Sequence, residues 1–417
     1  MSEPKLLWKP SEFFIKNSNL TQYQNWLSRE QGLSFSNYES LWQWSVSQPA
    51  LFWQSIMNYF KVRCHEQPVE LMSDAPMPYT KWFTGATLNY AEHIFRQKTN
   101  TRPAIYFASE RTRLTSVSWE ELENKTASLQ QFFQHIGVKQ GDRIAAYLPN
   151  IPQASIAMLA TVAIGAVWSS CSPDFGTESV LDRFKQIEPK VLIAVDGYCY
   201  NGKPHNRLDI VKEISAQLPS VEKLILIPYL NSGIEDVSID KAILWDDIMS
   251  LYHGELSFTP IPFSHPIWIL YSSGTTGIPK AITHSHGGML LEHLKYLSFH
   301  NDVHVGENFF WYSTTGWMMW NFVHAALLVG ASIVLYDGAA SYPDMTALWN
   351  LTAQIPIQHF GTSAPFIMAC MKAGLKPGQQ FNLTALRSIG STGSPLPPEG
   401  FDYVYENIKQ EVWLCSM

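Results

Sequence analysis

The sequence predicts an α/β protein of two stacked halves, each a parallel-rich sheet flanked by helices, behind a helical N-terminal cap. Three observations predict it. From about residue 100, apolar runs of strand length alternate with amphipathic stretches of helix length. A second series of the same kind begins at Ile267. Residues 1 to about 95 lack that alternation and instead place aromatic side chains three and four positions apart.

In the cap, Tyr23, Trp26 and Leu27, then Trp53, Ile56, Met57 and Phe60, form helical faces suited to lie on another body. A Pro-rich connection, Pro76 to Lys81, leads into Trp82-Phe-Thr-Gly85 and a further helix from Asn89 to His93. The first α/β series has strands at Ala104–Phe107, Arg143–Leu148, Val191–Val195 and Leu224–Ile227. Its helices follow a capping box at Ser118 to Glu121, then Gln153–Ile164 and Leu208–Leu218. Residues 228–264, with several Pro and Gly, read as the connection between the halves. The second series has strands at Ile267–Tyr271, Asn308–Tyr312, Ser332–Leu335 and Leu386–Ile389, with helices at His286–Ser298 and from Trp320.

The chemistry is concentrated in Tyr271-Ser-Ser-Gly-Thr-Thr-Gly-Ile-Pro-Lys280, which reads as a loop between a buried strand and a helix. Gly274 and Gly277 allow backbone N–H groups to approach oxygens closely. Ser272, Ser273, Thr275 and Thr276 add hydroxyls, and Lys280 adds a point charge that can balance a polyphosphate. Ile278-Pro279 before Lys280 excludes a Walker A loop, which opens a helix with Gly-Lys-Ser/Thr. At the carboxyl end of a strand, such a loop sits where open sheets bind ligands.

Three weaker constellations accompany it. Thr314-Thr315-Gly316-Trp317-Met318-Met-Trp-Asn321 ends a strand and places Thr315, Gly316, Trp317, Met318 and Asn321 to line a small, mostly dry pocket for a short acyl chain. Gly393-Ser394-Pro395 makes a turn that can seat a planar base. Trp168 and Ser169, with Tyr200-Asn201-Gly202-Lys203, can meet the phosphates of a second ligand.

The composition narrows the class. The chain has 417 residues, 46% of them hydrophobic, enough for a sizeable core and more than one ordinary domain. A net charge of −7 without a basic run argues against a nucleic-acid surface. The apolar runs Ile156–Trp168 and Phe322–Tyr336 fall short of the roughly 20 residues a membrane helix needs, so no membrane partner is expected. Five cysteines, none in a C-x-x-C pair, fit a reducing, cytoplasmic setting.

Together these residues resemble the adenylate-forming superfamily, and within it the acyl-CoA synthetases, most closely those that activate acetoacetate. The likeness begins at Leu7-Trp8-Lys-Pro10-Ser11, takes in Trp82 to Gly85 and Leu88 to Glu92, and is densest over Tyr271–His300 and Phe309–Asn321. It continues through Ser391 to Pro395. The acetate-activating relatives carry Gly-Glu-Pro where Gly393-Ser394-Pro395 stands, and Arg-x-Gly-Arg where Tyr200 to Lys203 stand.

The resemblance implies a cap over residues 1–95 and an AMP-binding large domain over 96–417. It implies ATP, CoA and acetoacetate as substrates, with Mg²⁺. Thr276 and Lys280 would act in catalysis, and Thr276 would meet the metal together with an acidic residue beyond the chain end. It further implies that a ribose-binding Asp and a C-terminal lid with its Lys are missing, so this polypeptide alone would not turn over. Three alternatives stay open: a ligase for acetate or another short acid, a nucleotide-binding relic, and an adenylation module that would need a carrier domain.

Overall fold

The computed structural model describes residues 6–234, 239–272 and 277–416. The N-terminal segment forms helices Glu12–Asn17, Asn19–Gln31, Tyr38–Ser47 and Pro49–Tyr59. Ser18 ends the first and caps the second, its hydroxyl accepting from the Thr21 N–H. Tyr23 and Leu27 are fully buried, and Tyr23 stacks on Phe299 at 4.6 Å while its hydroxyl pairs with Ser55 Oγ. Burying such a side chain stabilises by about 1.5–3 kcal/mol, so Tyr23 and Leu27 hold the N-terminal helices to the body.

Two seven-stranded sheets follow among the described residues. The first runs Ala242–Leu244, Lys223–Ile227, Val191–Val195, Arg143–Tyr147, Val167–Cys171, Pro266–Ser272, Lys280–Ser285. The second runs Trp413–Ser416, Ser388–Thr392, His359–Ser363, Asn308–Trp311, Ser332–Asp337, Ile105–Ser109, Thr115–Val117. Each is parallel except at one edge, where Lys280–Ser285 and Thr115–Val117 run antiparallel to their neighbours.

Alternation within the strands shows how the sheets are covered. Ile144 and Ala146 join one buried cluster while Ala145 and Tyr147 join another, as expected for a sheet buried on both faces. The largest cluster unites Ile144, Trp168 and Trp268 of the first sheet with Ile105, Phe309 and Ile333 of the second. The helices Pro152–Ala163, His286–Lys295 and Met318–Ala325 contribute to the same cluster, so the two sheets pack across a shared helical layer.

The two series are nevertheless not two sheets in succession. Ile105–Ser109, from the first series, pairs with Ser332–Asp337 in the second sheet, and Pro266–Ser272 returns to pair with Val167–Cys171 in the first. Residues 228–264 are likewise more than a connection, since they supply the edge strand Ala242–Leu244 and the helix Trp245–Leu251. The capping box at Ser118 is half formed: Ser118 accepts from the Glu121 N–H, but the Glu121 carboxylate turns to Lys125.

The largest correction concerns the loop after Tyr271. It does not run into a helix. Pro266–Ser272 turns back as the antiparallel strand Lys280–Ser285, with Ser272 opposite Lys280, so the loop is the tip of a hairpin. The exposed edge strand is held by backbone pairing rather than by an apolar run, and this conceals it in the sequence.

Candidate active site

The hairpin tip stands at the carboxyl end of Pro266–Ser272. The predicted Ser273, Gly274, Thr275 and Thr276 lie outside the described residues. Of the remainder, Ser272 and Lys280 are exposed at the mouth of the tip, and Gly277 has φ +112, a backbone conformation open to glycine. Pro279 is tied down by the Gln186 side chain, which donates to its carbonyl at 2.9 Å. Lys280 thus starts a paired strand while its charge faces solvent. That arrangement suits a polyphosphate arriving from outside.

The second constellation is bolted across the two sheets. Asn308–Trp311 ends in Ser313 to Gly316, and Thr315 is fully buried, its hydroxyl donating to the Leu148 carbonyl at 2.5 Å. Ser170 Oγ donates to the Thr315 carbonyl at 2.7 Å. Asn150 donates to the Ser313 and Tyr336 carbonyls and accepts from the Trp320 indole N–H at 3.0 Å. The turn at the end of one sheet is therefore fastened to the strand ends of the other. Asn150 was not among the sequence candidates; its only signal was its place between two prolines, Pro149 and Pro152, at a strand end.

The predicted acyl pocket divides in two. Trp317 and Met318 are 65% and 55% exposed, so they do not wall a dry pocket. Trp317 caps the helix Met318–Ala325, whose inward face carries Trp320, Asn321 and His324 instead. Gly316 lies against Phe175, 3.2 Å from where a Cβ would stand. Asn321 is 1% exposed, and neither its amide nitrogen nor its oxygen has a partner among the described residues. Such a buried amide demands an explanation, because an unpaired polar group is costly in a dry interior.

More unpaired groups lie nearby. Trp168, Trp268 and His284 stand side by side across the first sheet. The two indole N–H groups and His284 Nδ1 are buried without partners among the described residues. Trp320 stacks on Trp168 at 6.1 Å, which sets the helix bearing Asn321 against this row. Burial holds the neighbouring imidazoles neutral, pushing His293 down to about 3 and His324 to about 4. The site is thus apolar, uncharged and supplied with unused hydrogen-bonding groups.

Trp168 and Ser169 therefore need reassignment. Both are fully buried, and the Ser169 hydroxyl donates to the Ile269 carbonyl at 3.0 Å. They are not brought together with Tyr200 to Lys203, which form the exposed tip of the hairpin Gly197–Tyr200 and Lys203–Asn206. Strand periodicity explains the error, since the Trp-Ser pair belongs to Val167–Cys171, a buried strand that the apolar run before it masks.

Gly393, Ser394 and Pro395 are exposed just past Ser388–Thr392, and Gly393 has φ +89 with open space around its Cβ position. The turn is shaped by backbone conformation and presents an open face, as a base-seating turn requires. For the metal, Thr276 lies outside the described residues, and among those described no group of three His, Cys, Asp or Glu can hold an ion. No step is therefore assigned to Mg²⁺. No described helix is long and apolar enough to cross a membrane.

A cavity of about 860 Å³ lies elsewhere, lined by Trp53, Trp82, Phe83, Phe263, Leu291 and Glu292 among others. It contains none of the candidate ligand-binding or catalytic residues, though Trp53 and Trp82 to Gly85 line it, and it touches the hairpin strand only at Ser285, the end remote from Lys280.

Known proteins resemble this chain along its whole length. The family model described as AMP-binding enzyme matches residues 92–413, and that described as acetyl-coenzyme A synthetase N-terminus matches residues 38–94. The chain is 41% identical to acetoacetyl-coenzyme A synthetase of Rhizobium meliloti and 40% identical to acetoacetyl-CoA synthetase of Gallus gallus, over 100% of its length. It spans only 64% and 63% of those relatives. A solved structure, acetoacetyl-CoA synthetase from Streptomyces lividans, superposes with a TM-score of 0.94 at 43% identity, covering 99% of this chain and 64% of that one.

Proposed function

The chain belongs to the AMP-binding enzyme family, and from that premise we propose that it is the large domain of an ATP-dependent, AMP-forming acid–CoA ligase acting on acetoacetate. In the first half-reaction the acid's carboxylate oxygen attacks the α-phosphorus of ATP. The acyl-adenylate forms and pyrophosphate leaves. In the second, the thiol sulfur of CoA attacks the acyl carbonyl, the bond to AMP breaks, and acetoacetyl-CoA results.

In this reading the hairpin tip, with Ser272, Gly277 and Lys280, holds the polyphosphate, and Lys280 offsets charge moving onto pyrophosphate. Ser273, Gly274, Thr275 and Thr276 are assigned to the same role on residue type alone. Gly393 to Pro395 seat the adenine. Tyr200 to Lys203 face CoA. Mg²⁺ is proposed as the companion of ATP without a ligand set. Residues 1–95 are proposed as the cap and 96–417 as the large domain, with a cytoplasmic setting.

The observation that carries the choice of acid is Asn321, buried with both amide atoms unpaired among the described residues. A short unbranched acid would leave that amide unpaired, whereas a 3-oxo acid offers an oxygen to its N–H. Relatives named acetoacetyl-CoA synthetase, similar along the whole chain, support the same choice. The test is acid-dependent ATP–pyrophosphate exchange by the full-length polypeptide with acetoacetate, acetate, butyrate or no acid. Exchange strongest with acetoacetate is expected. Equal exchange with acetate and acetoacetate would make this a general short-acid ligase, and no exchange by a protein that still binds ATP would make it a binding relic.

A further inference from the structure

The exposed hairpin Gly197–Asn206 turns through Asn201 and Gly202, at φ +53 and +72, so two successive N–H groups point the same way. Such a nest ordinarily takes an anion, and on sequence grounds a phosphate was its natural guest. Here it is already filled. Glu110 Oε1 accepts from the Asn201 N–H at 2.8 Å and from the Ala339 N–H at 2.7 Å, while Oε2 accepts from the Gly202 N–H at 2.8 Å. One carboxylate thus takes three backbone donors from two segments.

The elements involved explain why the arrangement matters. Glu110 directly follows Ile105–Ser109, and Ala339 follows Ser332–Asp337, so both stand at carboxyl ends of the second sheet. The hairpin follows Val191–Val195, at the carboxyl end of the first. Glu110 therefore joins the carboxyl ends of the two sheets. At the tip, Gly202 packs so tightly on Tyr342 that an added Cβ would stand 2.5 Å from the ring. Tyr200 interacts with Tyr312, the residue that leads into the Ser313 to Gly316 turn.

We propose that Glu110 is a positioning residue for the thiol-bearing substrate, fixing the tip of the Gly197–Asn206 hairpin beside the acyl turn. This rests on the reading that CoA meets Tyr200 to Lys203. Because the tip's own N–H groups are occupied, recognition of the substrate's phosphates falls to side chains, with Lys203 supplying the charge and Tyr200 a hydroxyl and an apolar face. Glu110 itself touches no reacting atom. Its effect belongs to the second half-reaction and leaves adenylate formation alone.

The test uses the full-length polypeptide carrying Glu110→Gln, which sets an NH₂ against at least one of the three donors. The KM for CoA should rise roughly tenfold, the loss of about 1.4 kcal/mol. Acid-dependent ATP–pyrophosphate exchange should stay unchanged, and the Asn201 and Gly202 amides should exchange faster with deuterium. Gly202→Ala, which forces the tip off Tyr342, should reproduce the split. If Glu110→Gln does not fold, Glu110→Asp decides, with the same outcome expected because its carboxylate stops one methylene short.

Two results overturn the proposal while leaving CoA at the hairpin. One is an unchanged KM for CoA in Glu110→Gln while Tyr200→Ala or Lys203→Ala raises it; CoA would then use the hairpin without needing Glu110. The other is an equal fall in exchange and in thioester formation, which marks a general structural role. If neither Tyr200→Ala nor Lys203→Ala moves the KM, the placement of CoA itself fails, and the proposal falls with it.

Discussion

Asn321 and Thr315 sit six positions apart and are equally buried, yet they ask for opposite interpretations. Thr315 has a bond to the Leu148 carbonyl and is therefore structural: Thr315→Val should cost about 1 kcal/mol in urea unfolding. Among the described residues Asn321 has no partner on either amide atom, so the folded state bears its desolvation without return. Asn321→Leu should accordingly stabilise the protein, by about 1–3 kcal/mol. The same change should abolish any preference for acetoacetate over butyrate in pyrophosphate exchange. A destabilised Asn321→Leu protein would show that the amide has an internal role, and its assignment to the acid would be withdrawn. Stability gained at the expense of selectivity distinguishes a binding group from a packing group.

At the level of elements, the turn after Ser388–Thr392 depends on one backbone angle. Gly393 lies at φ +89 with nothing near its Cβ position, so Gly393→Ala meets strain and no clash. It should cost about 1–2 kcal/mol in denaturant and weaken nucleotide binding in a titration. Unaltered stability would mean that the turn readily adopts another shape and does not seat the base. This turn was legible because Gly and Pro leave a mark in the sequence, as did Val191–Val195, a run of apolar and mostly β-branched residues found at its expected bounds. His359–Ser363 and Lys280–Ser285 were not, since one carries His, Gly, Thr and Ser and the other is an exposed edge. Glu110 and Asn150 were invisible for a different reason. Their partners lie up to 229 and 186 positions away, and only the folded topology brings them together.

For the molecule as a whole, the sheet that a strand joins is set by packing across the shared helical layer, and local pattern carries no trace of it. Ile105–Ser109 crosses to the second sheet and Pro266–Ser272 returns to the first, so neither half closes without the other. Unfolding should therefore be a single event that responds to groups at the junction. Asp337 is one such group. It ends a strand of the second sheet and accepts at 2.8 Å from the hydroxyl of Tyr229, which follows a strand of the first. Burial pushes its carboxyl up to about 7; the Tyr229 hydrogen bond opposes that shift and the nearby Glu110 adds to it. The folded state thus holds a proton that the unfolded chain, with an ordinary carboxyl, releases near pH 4. Stability from this residue is complete below about pH 4 and is lost as the pH rises through about 7. The buried imidazoles of His293 and His324 act in the opposite sense, losing stability as the pH falls, so the useful quantity is a difference between two proteins. Asp337→Asn keeps an oxygen to accept from Tyr229 and removes the titration. Its Tm should gain on that of the parent between pH 5 and 8, in one transition, with the excess fully developed at pH 8. Parallel Tm curves would place the proton elsewhere, and two separated transitions would mean that the interleaved sheets unfold independently.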